Sequence, residues 1–286
     1  MPRMWSLAGR VALIFGASLL FASLAILLLA IRPPRLDLPY APAQFGLTVE
    51  DVWITADDGV RLAAWLIPRP GRPVVVLLHG YPADKRDMLG LASHLHERFA
   101  LLLVDQRYFG RSEGRVTTLG VRERRDLRRV LDWLAARRLE PVGVFGLSMG
   151  GVVALTAAAE DPRIRAVVAV APFADLRRLA RDLYGFLWLV KYPLVELTVL
   201  WGRLVLGESL THPAPVSLAA GVRVPVLLVH NRRDEQIGFH HAEAWQAALA
   251  GNRQARFHFP AGGHHQELPA ELPGMMVDFF AEHLGR

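Results

Sequence analysis

Residues 142–158, VGVFGLSMGGVVALTAA, decide the fold of this chain. The apolar run at 142–145 predicts a buried strand, and a helix is predicted from Met149 onward. Between them lies a G-x-S-x-G motif, with glycines at 146 and 150 around Ser148. A turn this tight needs glycine where side chains would collide, and it forces the serine into a strained backbone conformation. The stretch therefore predicts a serine nucleophile held above the carboxyl edge of a sheet.

Strands and helices alternate on both sides of this motif. Strands separated by helical segments of 10 to 20 residues are typical of right-handed βαβ units. The predicted fold class is α/β, with a mainly parallel central sheet and helices on both of its faces. The predicted strands are at 74–78, 100–104, 142–145, 167–170, 224–229 and 255–259, a hairpin at 49–55 and 60–67 precedes them, and the main helices are at 84–98, 120–138, from 149 and at 270–284.

One interval, residues 173–222, lacks a clear strand and is predicted to be a helical lid insertion. Insertions in open α/β sheets commonly cover the carboxyl ends of the strands, where ligands bind. In this interpretation Phe186, Trp188 and Trp201 form an apolar wall over the site. The alternative is that these helices face the core and contact no ligand.

The N-terminal residues 11–31 are uncharged and mostly apolar. A helix of this length measures about 31 Å and can cross the hydrocarbon core of a bilayer. Residues 1–35 are therefore predicted to be a single-pass membrane anchor, and residues 36–286 a catalytic domain. A cleaved signal peptide is the alternative, although its apolar region usually has only about 7–15 residues.

Two further expectations concern this anchor. The proline-rich residues 32–42 are expected to be a stiff spacer that holds the catalytic body off the bilayer. Arg3, Arg10 and the terminal amine precede the apolar segment, whereas Arg32 and Arg35 follow it with Asp37 close by. The two sides of the apolar segment differ by one charge, and this bias favours a catalytic domain outside the cytoplasm.

A nucleophilic serine needs a histidine base and a carboxylate that orients it, and in this architecture the chain order is serine, acid, histidine. Asp234 follows the strand predicted at 224–229, and His264 lies in the loop after the next strand. The predicted triad is therefore Ser148, Asp234 and His264. His265 is the alternative base, and Glu235 and Asp175 are the alternative acids.

The oxyanion of an acyl-transfer reaction needs two backbone N–H donors. Met149 directly follows the nucleophile and is predicted to supply one of them. The loop after the strand at 74–78 is predicted to supply the other from Tyr81, because Gly80 allows a close approach of the backbone. His79 is expected to brace that loop.

Composition excludes several other kinds of site. The chain has no cysteine, so disulfides, thiolate metal sites and cysteine nucleophiles are excluded. No histidine or carboxylate spacing indicates a metal, and we expect neither a metal nor a cofactor. The net charge is +6, but the densest basic run, residues 122–129, mixes both signs as a solvated helix face does. No nucleic-acid partner is expected, and the predicted partners are membrane lipid and a small acyl substrate.

Across residues 45–286 the sequence resembles the α/β-hydrolase superfamily. It looks most like the membrane-anchored Bem46-like and serine-aminopeptidase-like hydrolases. The matching stretches are His79-Gly80, residues 105–112, 146–150 and 225–234, and Gly263-His264. Tyr108 stands where the family usually has glycine in its D-x-R-G-x-G-x-S loop. Asn231 replaces glycine in H-G-x-x-D, and asparagine tolerates left-handed backbone.

The resemblance implies hydrolysis of an ester, thioester or amide through an acyl-enzyme. The prediction is a serine hydrolase that cleaves a carboxylic ester or thioester, with a lipophilic substrate favoured by the apolar lid and anchor. One alternative is an amidase or peptidase of the same fold. The other is a non-catalytic, membrane-tethered binding protein on a hydrolase scaffold.

Overall fold

The computed structural model describes residues 6–265 and 267–285. Its centre is an eight-stranded sheet in the order β1-β2-β4-β3-β5-β6-β7-β8. The first two neighbouring pairs are antiparallel and the other five are parallel. The predicted α/β fold class is therefore confirmed. The strands are β1 (Glu50–Thr55), β2 (Arg61–Ile67), β3 (Val74–Leu78), β4 (Ala100–Val104), β5 (Val142–Leu147), β6 (Ile164–Val170), β7 (Val226–Val229) and β8 (Ala255–His258).

Strand β3 shows why the apolar runs form the centre of the sheet. Val74, Val76 and Leu78 enter the core on one face, and Val75 and Leu77 enter the core on the other. Successive side chains of a strand point to opposite faces, so a continuous apolar run suits a strand covered on both sides.

Helices cover both faces of this sheet. Helices α3, α4 and α7 contribute to the core on one face, and α2 and α8 to the core on the other. The helix predicted over 84–98 is shorter than expected, since a 3₁₀ turn at Lys85–Met88 precedes it. The helices are α1 (Leu7–Ile31), α2 (Leu89–Leu95), α3 (Val121–Ala135), α4 (Met149–Ala158), α5 (Leu176–Leu183), α6 (Lys191–Leu206), α7 (His240–Ala248) and α8 (Leu272–Leu284), with further 3₁₀ segments at Pro42–Phe45, Gly185–Val190 and Pro215–Gly221.

Helix α1 is long and apolar enough to span a membrane by its length and composition. Its last turns pack against α6, where Leu27 and Ile31 join a small core with Leu210. Residues 1–5, which include Arg3 of the predicted charge bias, lie outside the described residues.

The proline-rich segment after α1 does not extend away from the body, contrary to the expectation of a spacer. The Tyr108 hydroxyl donates a hydrogen bond to the carbonyl oxygen of Pro33 at 2.6 Å. The Arg35 guanidinium lies 5.0 Å from the centre of the Tyr108 ring. These contacts hold the segment along the catalytic body, because each joins residues about 75 positions apart.

Candidate active site

Ser148 sits in the tight turn between β5 and α4. Its backbone angles are φ 51° and ψ −114°, a conformation that residues with a side chain rarely adopt. A Cβ atom on Gly146 would lie 2.1 Å from the carbonyl oxygen of Gly150, and one on Gly150 would lie 2.5 Å from that of Leu78. The collision predicted across the turn is confirmed for Gly146, whereas Gly150 avoids a collision with the end of β3. The turn holds Ser148 at the carboxyl edge of the sheet.

His265 lies between Ser148 and Asp234. Its Nδ1 is 2.7 Å from Asp234 Oδ2, and its Nε2 is 3.2 Å from Ser148 Oγ. An ionised carboxylate only accepts hydrogen bonds, so Nδ1 carries the proton and Nε2 is left to accept one from the serine hydroxyl. All three residues are buried, and together they have the connectivity of a serine, histidine and acid triad.

The prediction that His264 is the base is wrong by one residue. The His264 side chain is 70% exposed, and its Nδ1 contacts Glu235 Oε2 at 3.0 Å. That carboxylate raises the pKa of His264. The alternative acids are also engaged elsewhere, since Glu235 pairs with His264 and Asp175 accepts a hydrogen bond from Arg178 at the start of α5.

The loop backbone explains why neighbouring histidines point in opposite directions. Gly263 has φ 91°, and a Cβ atom on it would lie 2.6 Å from Asn231 Nδ2. The same Nδ2 donates to the carbonyl oxygens of His264 at 3.0 Å and Glu267 at 2.7 Å. Asn231 itself does not adopt the left-handed backbone considered for it. Its role is instead to fix the loop that directs His265 inward.

Asp234 is held by its own loop as well as by His265. Its Oδ1 accepts the N–H groups of Gln236 at 2.9 Å and Ile237 at 2.7 Å. Burial by itself would raise the pKa of Asp234, but the hydrogen bonds from His265 and Ile237 outweigh it and leave this pKa below its usual value. Asp234 is therefore ionised at neutral pH.

His230 is a structural residue of this loop that the sequence reasoning did not assign. It is fully buried, and its Nε2 donates to the carbonyl oxygen of Ile237 at 2.7 Å. This bond closes residues 230–237 around Asp234. Burial lowers the pKa of His230 and keeps the ring neutral. Its position four residues before the acid was the signal that could have found it.

The two predicted oxyanion donors border the same cavity as Ser148 and His265. Met149 is the first residue of α4, where the N–H groups have no partner within the helix. Near Tyr81, a Cβ atom on Gly80 would lie 3.5 Å from Ser148 Cβ, which brings this loop close to the nucleophile. The roles of the Tyr81 and Met149 amides remain predictions.

His79 braces the Tyr81 loop, as its sequence position suggested. Its Nδ1 donates to the carbonyl oxygen of Gly80 at 2.8 Å, and its Nε2 accepts the N–H of Gln106 at 3.0 Å. The Gln106 side chain donates back to the carbonyl oxygen of His79 at 2.7 Å. The Nδ1 bond braces the Tyr81 loop itself, and the Nε2 bond joins it to the loop of Gln106.

A cavity of about 410 Å³ lies above Ser148 and has a mostly apolar lining. Its size is within the usual range for small-molecule sites. Helices α5 and α6 form one wall, with Leu179, Leu183, Val195 and Val199 among the lining residues.

The aromatic wall predicted from the sequence is not present. Phe186 and Trp188 are 79% and 76% exposed, and neither lines the cavity. Trp201 packs beside Leu27 and Ile31 of α1. The lid segment faces the cavity mainly with aliphatic side chains of α5 and α6, together with Phe173 and Tyr184, because its exposed turn carries Phe186 and Trp188 outward.

Comparison with known proteins agrees with this geometry. The model of a family described as the alpha/beta hydrolase fold matches residues 73–187, which contain the nucleophile turn and the Tyr81 loop. The chain has the α/β-hydrolase fold. The predicted resemblance is confirmed for the fold, and the Bem46-like and serine-aminopeptidase-like branch remains a prediction.

Similar proteins come from plants, bacteria and archaea. The alpha/beta hydrolase domain-containing protein WAV2 of Arabidopsis thaliana is 27% identical over 79% of this chain and 75% of its own length. The uncharacterized protein YfhR of Escherichia coli K12 is 27% identical over 85% of this chain and 84% of its own. The structure of the Pyrococcus furiosus esterase Pf2001 has the same fold, with a TM-score of 0.75 and 24% identity over 90% of this chain and 99% of its own. The family match supports hydrolytic activity, and the esterase structure, at 24% identity, shows a shared fold.

The structure explains one departure from the hydrolase loop pattern. Tyr108, at a position where glycine is usual, has φ 76° and therefore adopts the left-handed backbone that favours glycine. A tyrosine there is strained by about 1–3 kcal/mol. The side chain compensates through its hydrogen bond to Pro33 and its contact with Arg35. Tyr108 thus joins its own loop to the segment after α1.

A second cluster of titratable groups, Asp182, His240 and His241, has the spacing of a metal site. His241 Nδ1, however, accepts the N–H of Ala174 at 3.1 Å. Its other nitrogen must then carry the proton, and it points toward Asp182 Oδ2 at 3.4 Å. A protonated nitrogen is not a metal ligand, so the donor set does not fit a metal. The cluster instead links α5 to α7.

Proposed function

We propose that this chain is a serine hydrolase that cleaves a carboxylic ester through an acyl-enzyme on Ser148. The observation that carries the proposal is the position of His265, with one ring nitrogen 3.2 Å from Ser148 Oγ and the other 2.7 Å from Asp234. A hydroxyl becomes a competent nucleophile when a base accepts its proton during attack.

The proposed reaction has two halves. Ser148 Oγ bonds to the acyl carbon while its proton passes to His265 Nε2, and the carbonyl electron pair moves to the oxygen. The N–H groups of Met149 and Tyr81 stabilise that oxyanion. As the tetrahedral intermediate collapses, the alcohol leaves with the proton from His265.

Water completes the cycle. His265 takes a proton from a water molecule that attacks the acyl carbon, and Ser148 regains that proton when the acid departs. Asp234 stabilises the positively charged imidazole in both halves, because its pKa lies below the usual range and it stays ionised.

The mostly apolar cavity supports a lipophilic acyl group. The esterase name of the Pyrococcus relative supports an ester as the bond that is cleaved. The length and composition of α1 support a single-pass membrane anchor, with the enzyme acting at the membrane surface.

The test is labelling of the full-length protein in detergent with a fluorophosphonate, followed by hydrolysis of p-nitrophenyl butyrate. Wild type is expected to be labelled and active, and Ser148→Ala is expected to lose labelling and about 10³-fold or more in kcat. Ser217→Ala, which changes an exposed serine outside the site, is the matched control. Failure of wild type to react would indicate a binding protein, and faster cleavage of the matching anilide would indicate an amidase.

A further inference from the structure

Helix α1 forms part of the cavity wall. Ile26, Leu27, Leu29 and Ala30 line the same cavity as Ser148 and His265. Their spacing places Ile26, Leu29 and Ala30 on one face of the helix. Leu27 is buried between this face and α6. A segment that has the composition of a membrane anchor thus contributes directly to the candidate active site.

Polar contacts hold α1 in this position. Trp201 Nε1 donates to Ser23 Oγ at 3.1 Å, and the N–H of Thr117 donates to the carbonyl oxygen of Ile31 at 3.0 Å. The hydrogen bond from Tyr108 to Pro33 adds a third contact just beyond the helix. These contacts attach α1 and the residues after it both to the lid segment and to two loops of the catalytic body.

We infer that α1 is the acyl-selecting wall of this hydrolase, and that its substrate is a long-chain acyl ester dissolved in the bilayer. The ester enters beside α1, between Leu29 and Leu183, and its acyl chain lies against Ile26, Leu29 and Ala30. The inference rests on the proposed function. It adds the substrate class and the part of the chain that selects it.

The rim of the cavity supports entry from this side. Leu29 is 67% exposed and Leu183 is also exposed, although both line the cavity. Leu29 lies two residues from the end of α1, which is about 3 Å along a helix axis. If α1 crosses the hydrocarbon core, the rim lies at its boundary with the headgroups, where the carbonyl groups of lipid esters are found.

The lid segment has an exposed apolar surface suited to the same environment. Thr198 donates to Ser23, and Leu27 lies against Gly202, so the two helices run in the same direction. The start of α6 and the preceding turn with Phe186 and Trp188 therefore lie beside the middle of α1. Exposed aromatic residues at that depth contact lipid when α1 is inserted, and a large apolar surface of this kind is unusual in water.

The test compares two pairs of variants of the full-length protein in phosphatidylcholine vesicles. Ala30→Trp and Leu29→Trp add bulk at the cavity wall and rim. Ala25→Trp and Leu28→Trp are their matched controls, because they make the same changes in α1 at positions outside the cavity lining. Each protein is assayed for kcat/KM with p-nitrophenyl palmitate and p-nitrophenyl acetate.

The ratio of palmitate to acetate kcat/KM is expected to fall by about tenfold or more in Ala30→Trp and Leu29→Trp, which is the usual effect of blocking part of an apolar pocket. It is expected to stay at the wild-type value in the two controls. Fluorophosphonate labelling checks that the site is assembled. If Ala30→Trp does not fold, Leu29→Trp still decides the result, because Leu29 is largely exposed.

Two results would overturn the inference. One is an unchanged palmitate to acetate ratio in labelled Leu29→Trp protein. The other is equal palmitate hydrolysis when the ester is supplied in separate, protein-free vesicles, since an ester that enters from the bilayer must share the membrane of the enzyme. Absence of both labelling and acetate hydrolysis in wild type would instead contradict the proposed function itself.

Discussion

The side-chain amide of Asn231 donates a hydrogen bond to the carbonyl oxygen of His264 at 3.0 Å. This bond turns the backbone of the loop so that the next side chain, His265, points toward Ser148. Asn231 is thus a positioning residue that acts on His265 through its hydrogen bond to the backbone of His264. It also lies in the loop that carries Asp234, so one residue aligns both partners of the serine.

Replacement of Asn231 by alanine should misplace His265. A displacement of about 1 Å at a reacting group can cost about 10²-fold in rate, so we expect kcat for ester hydrolysis to fall by about 10- to 100-fold in Asn231→Ala. The KM should change little, because Asn231 does not line the cavity. Asn252→Ala, which removes a comparable side-chain bond far from Ser148, is the control. A change confined to KM would contradict this role.

The two adjacent histidines provide a direct test of the corrected triad. His265→Ala should lower kcat by about 10³-fold or more, because triad members act as a unit. His264→Ala should retain most of the wild-type rate, since that side chain is exposed and paired with Glu235. The measurement is steady-state hydrolysis of p-nitrophenyl butyrate by both proteins. A larger loss of kcat in His264→Ala than in His265→Ala would instead identify His264 as the base.

His241 should make the stability of the protein depend on pH. His241 is fully buried, and burial is the main reason why its pKa is lowered to about 4. The nearby His240 and Arg178 lower this pKa further, whereas Asp182 raises it. In the unfolded chain the pKa of histidine is about 6.5, so the unfolded state takes up a proton first as the pH falls. The free energy of unfolding should therefore decrease by about 1–2 kcal/mol between pH 7 and pH 5.

The corresponding experiment is urea unfolding of wild type and His241→Gln at pH 7 and pH 5 in the same detergent. The free energy of unfolding of the variant should decrease less over this interval than that of wild type. An equal decrease in both proteins would show that other groups cause the pH dependence.

Membrane insertion of α1 should depend on its apolar surface. Full-length protein should remain in the membrane pellet after high-salt and carbonate washes. The double substitution Leu20→Arg/Phe21→Arg places two charges near the centre of the helix, at a cost of about 2.5–3.5 kcal/mol each, and should release a larger fraction. Leu36→Arg/Tyr40→Arg adds the same charges at exposed positions after the helix and is the control. Release of wild type by salt alone would mean that charge holds the protein at the membrane.

Local sequence determined the fold and the tight turn at Ser148. The apolar run of β3 and the alternation of strands with helices predicted a sheet covered on both faces, since these patterns reflect the geometry of each element. The glycines around Ser148 predicted the strained turn, and the collision that Gly146 avoids involves Gly150, only four positions away. The order of serine, acid and histidine along the chain predicted Asp234, which lies against His265, and a histidine one residue from the one that contacts Ser148.

Only the tertiary structure decided which histidine faces the serine and what α1 does. Adjacent residues of a loop point in different directions, and the contact that selects His265 comes from Asn231, more than thirty positions earlier. The apolar pattern of α1 is the same whether the helix is a distant anchor or a cavity wall. Its position is set by bonds to Trp201, Thr117 and Tyr108, which lie far away in the chain. Contacts of this kind leave no periodic signal in the sequence, because they depend on how separate elements pack once the sheet has formed.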